Sequence, residues 1–425
     1  MAQGLGLHRS DAILQESIVH VFWLSGMSCD GCSVSMLGAS NPSLEDLVLD
    51  RVPDLPLVVM HHPMISEESG HDLMASYRAA AEGTLGAPYI LVLEGSIPDD
   101  QSLTSGHCAT LGTAADWPSG TRLSRSSNQP VRTTDWMLAL APRASATIAI
   151  GTCATWGGIP AAAGNVTGSM GLMDFLGPTY RSARGIPIVN VPGCAPQGDN
   201  FTETLTAVVR YFGGTRDLPE FDELGRPAWL FDQTVHRHCP KAGYYEEGVF
   251  SEEPGDNQCL VEIGCWGPVV QCNIVERGAV NHVGGCMVAG GACIGCTMPG
   301  FPDKYAPFYK APPGSALSGG VSRVTGGGIR RLRRMSMKSG NREPIWDRAE
   351  DASTGWGLAQ GTLTPANKVN GKFYKKLQYR GSVDHATRNK KQPQPKSLDI
   401  LRQKGVDLDA STDVLQEHVI TREEL

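Results

Sequence analysis

The segment Ile18-Val-His-Val-Phe-Trp-Leu24, followed after four residues by Cys29-Asp-Gly-Cys32, sets the reading of this chain. Leu57–Met60, Tyr89–Leu93, Thr147–Ile150 and Ile188–Val191 are further short runs rich in Val, Ile and Leu. Runs that are apolar on both faces suit strands buried in a parallel sheet, with crossover helices between them. The expected fold is an open, doubly wound α/β sheet. In such sheets ligands gather beyond the carboxyl ends of the strands. Cys29 and Cys32 follow the first run, Glu94 ends the third, Cys153 follows the fourth, and Cys194 follows the fifth. Four cysteines from three loops should therefore meet at one edge of the sheet, a far more specific signal than a lone Cys-x-x-C.

The chain has 425 residues, 41% of them hydrophobic, which exceeds a single ordinary core and predicts two domains plus an extension. Its 37 basic and 44 acidic side chains leave a net charge of −7, which argues against a nucleic-acid partner. The N-terminus shows no export signal, and no apolar run reaches the roughly 18–20 residues of a membrane span. The expected location is the cytoplasm, with peripheral membrane association as an option. A reducing compartment leaves thiols free to bind metal rather than to form disulfides.

Eleven of the twelve cysteines sit at short spacings beside glycine or proline. Cys29, Cys32, Cys153 and Cys194 form one four-thiolate set, suited to an iron–sulfur cubane or to tetrahedral zinc. His236, Cys239, Cys259 and Cys265 form a second, in which imidazole replaces one thiolate; His238 is a rival for His236. Cys272, Cys286, Cys293 and Cys296 form a third. Three clusters in one chain imply a path for single electrons, which weakens the zinc reading because structural zinc carries no current. Cys108 stands apart as a free thiol within 99–140, a stretch read as a long loop or insertion.

These motifs together resemble the small, electron-transfer subunit of [NiFe]-hydrogenases. The matching residues are Cys29-Asp-Gly-Cys32, Glu94-Gly-Ser-Ile-Pro, Gly-Thr-Cys153-Ala-Thr-Trp-Gly-Gly, Pro-Gly-Cys194, His236-x-x-Cys239, Cys259-Leu-Val-Glu-Ile-Gly-Cys265-Trp-Gly-Pro and Cys293-Ile-Gly-Cys296, in family order over residues 18–310. The resemblance implies a flavodoxin-like domain at 15–215 with a proximal 4Fe-4S cluster on the first set. It implies a loop-rich domain at 225–310 with a distal 4Fe-4S cluster on the second set and a medial cluster on the third. An irregular extension covers 311–425. Glu94 becomes a cluster neighbour or a candidate in a proton route. The nickel–iron centre belongs to a separate large subunit, so no catalytic residue is expected in this chain. The resemblance also implies a heterodimer, with a dimer of heterodimers as a further candidate assembly, and an electron acceptor such as a quinone or a redox protein.

Three departures from the family pattern carry expectations of their own. Cys286 stands where the common medial cluster has proline, which predicts a four-iron rather than a three-iron medial cluster. Gly31 and Gly158 occupy the positions of the extra cysteines of the oxygen-tolerant membrane-bound enzymes. Asp30 lies between two candidate ligands and is a carboxylate donor to the proximal cluster, a cap for the helix that follows or a side chain facing solvent. Asp30, the missing export signal and the long tail point to the actinobacterial-type, high-affinity uptake branch. The alternative is an electron-carrier subunit of a related respiratory dehydrogenase, whose relatives use adjacent cysteines in the first motif and lack the two downstream sets. In the extension, Arg330, Arg331, Arg333 and Arg334 read as a solvated surface or as a contact patch for a partner or anionic lipid.

Overall fold

The computed structural model describes residues 18–100, 106–118, 127–177, 179–222, 224–306, 308–309, 320–321 and 323–328. The chain divides into two compact units, the first running to Ala228 and the second beginning at Trp229. The reading of 311–425, including the arginine cluster, lies outside the described residues apart from 320–321 and 323–328.

In the first unit, strands β1 (Ile18–Ser25), β2 (Leu57–His61), β3 (Tyr89–Glu94), β6 (Ala146–Ile150) and β7 (Val189–Val191) form one sheet in the order β2-β1-β3-β6-β7. Every pairing is parallel. A short antiparallel pair, β4 (Thr110–Thr113) with β5 (Pro130–Arg132), stands outside it. Leaving that pair out, the order is 2-1-3-4-5, the flavodoxin-like arrangement, whose switch point lies between β1 and β3.

Alternation along the strands explains why both faces are covered. Val19, Val21 and Trp23 of β1 join Ile90 and Val92 of β3 in one buried layer, closed by Phe201, Leu205 and Val208. Those three belong to the helix Gly198–Phe212. Phe22, Leu24, Leu91 and Leu93 point the other way, against Tyr77, Trp136 and Leu140. The Tyr77 hydroxyl is within 2.7 Å of both the Trp23 and His61 carbonyl oxygens and fixes its helix, Gly70–Glu82, to β1 and β2.

The stretch 99–140 corrects the expectation of an unstructured insertion. Its described part holds the β4–β5 pair and a helix, Thr133–Leu140, that buries Trp136, Met137 and Leu140. Cys108 is exposed and remains outside every cysteine set.

The second unit has short helices, among them Val235–His238 and Ala242–Glu247, joined by turns. Its buried cluster gathers Tyr245, Trp266, Phe301 and Tyr305 with Cys239, Cys259, Cys265 and Cys293. The candidate ligands are themselves part of this core, so metal binding and folding are coupled here.

Candidate iron–sulfur cluster sites

At the first site the sheet delivers the ligands. β1 leads through a turn into helix α1 (Gly31–Leu37), which carries Cys32; β6 leads directly into helix α2 (Gly151–Trp156), which carries Cys153; and Cys194 follows β7. Two bonds tie the last two loops together, Thr152 N–H to the Gly193 carbonyl at 2.9 Å and Gly193 N–H to Thr152 Oγ1 at 3.0 Å. Burial pushes the Cys153 thiol up to about 11, with Cys194 and Cys29 adding to the shift. Burial raises Cys32 further still, followed by Glu94, Cys153, Cys29 and Cys194. Burial thus disfavours the thiolate forms of Cys32, Cys153 and Cys194, a cost that iron ligation would offset by stabilising thiolates.

Two glycines show how closely the backbone wraps these sulfurs. Gly151 has φ +84°, and a Cβ there would stand 2.3 Å from Cys32 Sγ. At Gly158, φ is +55° and a Cβ would stand 2.7 Å from Cys153 Sγ. A side chain at Gly158 would collide with the candidate ligand Cys153, so this backbone has no room for a cysteine there. At Gly31 a Cβ would lie 3.2 Å from Cys29 Sγ, which is tight but less severe.

Glu94 closes the site from the sheet side. It is 1% exposed at the end of β3 and accepts bonds from Trp23 Nε1 (3.0 Å), Cys32 N–H (3.0 Å), Ser33 N–H (3.2 Å) and Ser33 Oγ. It is therefore a direct neighbour of a candidate ligand. Asp30 precedes α1 in a left-handed conformation, φ 59°, and its side chain makes no cap bond. Helix capping is therefore not its role.

The second site lies in the second unit. A small cavity is lined by His236, Cys239, Cys259 and Cys265, with Lys241 and Met287 among its other walls. Cys259 and Cys265 flank a 3-10 turn, Leu260–Ile263. His236 packs edge-on against Tyr245, ring centroids 4.8 Å apart. His238 is held 2.7 Å from Gln233 Oε1 and 3.5 Å from Glu276 and is not among the lining residues, so His236 is the imidazole at the cavity. Burial pushes Cys239 up to about 12 and raises Cys259 and Cys265, while the Lys241 ammonium opposes all three shifts. Lys241 Nζ is anchored 2.6 Å from the Asp256 carbonyl oxygen.

The third set adjoins the second. Cys265 Sγ accepts the N–H of Cys293 at 3.3 Å and of Gly267 at 3.4 Å. Cys293, itself raised by burial, feels Cys265, Cys296 and Cys272. Cys286 is exposed, and its charge acts on Cys265. The structure thus brings Cys272, Cys293 and Cys296 together and sets Cys286 within reach of Cys265.

Among the described residues no three His, Cys, Asp or Glu side chains close on a point that would hold a single metal ion. Four thiolates around one zinc would have to do so, with Zn–S bonds of about 2.3 Å. Cysteines that neighbour one another without closing on a single point suit a cluster several atoms across. Trp23, Ser33, His62 and Lys241 are residues of these sites that motif reading passed over, because none carries a ligand signature.

A doubly wound sheet with thiols at its carboxyl edge, followed by a cysteine-rich unit with a His-Cys₃ cavity, defines a multi-cluster electron-transfer subunit. Residues 231–309 match the family formed by the C-terminal part of NiFe/NiFeSe hydrogenase small subunits, and residues 29–208 match the NADH ubiquinone oxidoreductase 20 kDa subunit family. The chain is 34% identical to the periplasmic [NiFeSe] hydrogenase small subunit of Desulfomicrobium baculatum, over 72% of this chain and 94% of that one. It is 31% identical to the F420 non-reducing hydrogenase II small subunit of Methanosarcina mazei, over 72% and 79%. Among solved structures, an actinobacterial-type NiFe-hydrogenase from Ralstonia eutropha H16 superposes with a TM-score of 0.72 at 45% identity, covering 81% of this chain and 97% of that one. The chain belongs to the [NiFe]-hydrogenase small-subunit family, with its likeness on the actinobacterial-type side. It is the iron–sulfur half of an oxidoreductase acting on H2 and works with a large subunit that holds the nickel–iron centre. The match at 231–309 disfavours the respiratory-dehydrogenase alternative.

Proposed function

We propose that this chain serves high-affinity hydrogen uptake, with three clusters whose ligands are the sets described above. The proximal 4Fe-4S cluster is held by Cys29, Cys32, Cys153 and Cys194, with Asp30 as a further donor. The distal 4Fe-4S cluster is held by His236, Cys239, Cys259 and Cys265. Cys272, Cys293 and Cys296 hold the medial cluster, and Cys286 supplies the fourth thiolate that makes it four-iron. When bound, the clusters supply one-electron relay between the partner's metal centre and an acceptor such as a quinone or a redox protein.

The protein's own residues do the positioning. Glu94 holds the Cys32 amide, Thr152 ties the Cys153 and Cys194 loops, and the Cys293 N–H to Cys265 Sγ bond joins the medial and distal sets. Val34 and Leu37 of α1 and Ile159 are 67%, 51% and 58% exposed. This apolar rim beside the proximal ligands is the face that docks the large subunit, in an interface of the obligate class, about 2,000 Å² or more. A dimer of heterodimers in the cytoplasm, peripherally associated with the membrane, completes the proposal.

The observation that carries this reading is the convergence of four cysteines from three strand-end loops, with Glu94 accepting the backbone N–H of one of them, Cys32. Anaerobic co-purification with metal analysis tests it. Nickel with about a dozen irons per heterodimer is expected, for three four-iron clusters. A stable, cluster-loaded monomer of this chain from its native host would defeat it.

A further inference from the structure

Behind the proximal ligands lies a buried chain of hydrogen bonds whose proton positions the geometry settles. Ser33 Oγ donates its one proton to Glu94 Oε2. It must therefore accept from its other neighbour, His62 Nε2, 2.9 Å away. That requires the proton of His62 on Nε2 and leaves Nδ1 bare. Independently, the Met64 N–H donates to His62 Nδ1 at 3.1 Å, which also requires a bare Nδ1. Two separate bonds select the same neutral tautomer, and burial, which holds this histidine down at about 4, keeps it neutral.

The chain of donors runs one way. It passes from Met64 N–H to His62, from His62 to Ser33 and from Ser33 to Glu94. Glu94 in turn receives the Cys32 and Ser33 amides and Trp23 Nε1. Ser33 is 2% and His62 0% exposed, so no solvent competes for these groups. The His62 ring also packs against the Trp23 indole, centroids 4.8 Å apart. His62 thus holds both side chains that reach Glu94 Oε2.

We propose that His62 is a positioning residue for the proximal cluster: through Ser33 and Trp23 it orients the Glu94 carboxylate, which fixes the Cys32 amide and hence the Cys32 thiolate. The inference rests on the assignment of Cys32 as a proximal ligand. Loss of the proximal signal in Cys32→Ser would support that assignment, and its survival would overturn the assignment rather than the hydrogen-bond chain.

The test uses the assembled heterodimer with His62→Leu, His62→Gln and Ser33→Ala. Amide hydrogen exchange over residues 26–37 reports on the Cys32 and Ser33 N–H bonds, and EPR-monitored redox titration reports on each cluster's potential. His62→Leu and Ser33→Ala should each speed exchange in that peptide by about tenfold, the worth of a hydrogen bond of ordinary strength. Both should move the proximal potential while leaving the medial and distal potentials in place. His62→Gln, whose amide N–H can still donate to Ser33, should recover most of the wild-type exchange and potential. The double variant should move neither readout beyond the larger single effect, because both changes break one chain. If His62→Leu retains wild-type exchange and proximal potential, or if His62→Gln is as perturbed as His62→Leu, the proposal fails. Should His62→Leu not assemble, Ser33→Ala with wild-type exchange and potential would overturn it equally.

Discussion

A Cβ on Gly151 would stand 2.3 Å from the Cys32 sulfur, and φ at Gly151 is +84°. The end of β6 therefore presses directly on a candidate ligand carried by a different loop. Gly151→Ala meets two penalties at once. Backbone strain costs at least about 1 kcal/mol, and the methyl group occupies the sulfur's place. The expected outcome is a chain that keeps its sheet but lacks the proximal cluster, seen as a loss of one cluster's iron and of hydrogen-dependent acceptor reduction. Wild-type iron content in this variant would show that the loop yields.

Asp30 is left-handed, half-buried and free of any cap bond, between Cys29 and Cys32. Asparagine tolerates the same backbone conformation, so Asp30→Asn isolates the loss of the carboxylate. The variant should shift the proximal cluster's potential and lose activity in air while retaining it under anaerobic conditions. Unchanged EPR, potential and air stability would assign Asp30 to structure alone.

How much of this was readable depended on the range of each signal. The five sheet strands were legible because both faces are buried: Val21 and Trp23 go into one layer, Phe22 and Leu24 into the other, and every strand shows as a dense apolar run. The candidate ligand cysteines stood out because glycines lie beside them in the sequence, and at Gly151 and Gly158 a Cβ would meet a cysteine sulfur. The β4–β5 pair was not, since strands of four and three residues among Ser, Thr, Asp and Gly carry too little alternation to register. Trp136, Met137 and Leu140 did hold a helical spacing, but that polar setting obscured it. The Glu94 network was invisible for a different reason. Trp23, Ser33, His62 and Glu94 come from four places in the chain, and only the sheet brings them together.

Cys286 tests how far motif alignment can be carried into structure. It is exposed, and the charge it feeds is that of Cys265, whereas Cys272, Cys293 and Cys296 form the compact part of the medial set. If cluster binding draws Cys286 in as the fourth medial ligand, Cys286→Pro should convert a four-iron cluster into a three-iron one. The oxidised enzyme would then show a three-iron EPR signal absent from wild type. The same signal in both proteins would remove Cys286 from the medial site.

Lys241 places an ammonium at the wall of the distal cavity, tied to the Asp256 carbonyl. A fixed positive charge favours the more reduced, more negative state of a neighbouring cluster. Lys241→Gln should therefore lower the distal potential by an amount on the order of tens of millivolts, the Coulomb interaction of one partly screened charge. Proximal and medial potentials should stay put, and acceptor reduction should slow more than hydrogen isotope exchange at the partner's centre. An unmoved distal potential would show that solvent screens the ammonium fully.

His61 and His62 set an acid limit on the first unit. Burial holds both at about 4, against an ordinary histidine value near 6.5, and the neighbouring His20, 2.8 Å from His61, adds to the depression there. As pH falls below 6.5 the unfolded chain takes up protons that the folded chain refuses. The unfolded state then binds more protons, so stability declines as pH drops and the contribution is fully lost below about 4. Above 6.5 neither state is protonated and the effect is complete. Thermal unfolding followed from pH 7 to pH 4 should show this slope, and His61→Gln, which removes one of the two titrating rings, should flatten it without removing it. An identical slope in the variant would assign the acid sensitivity to other groups.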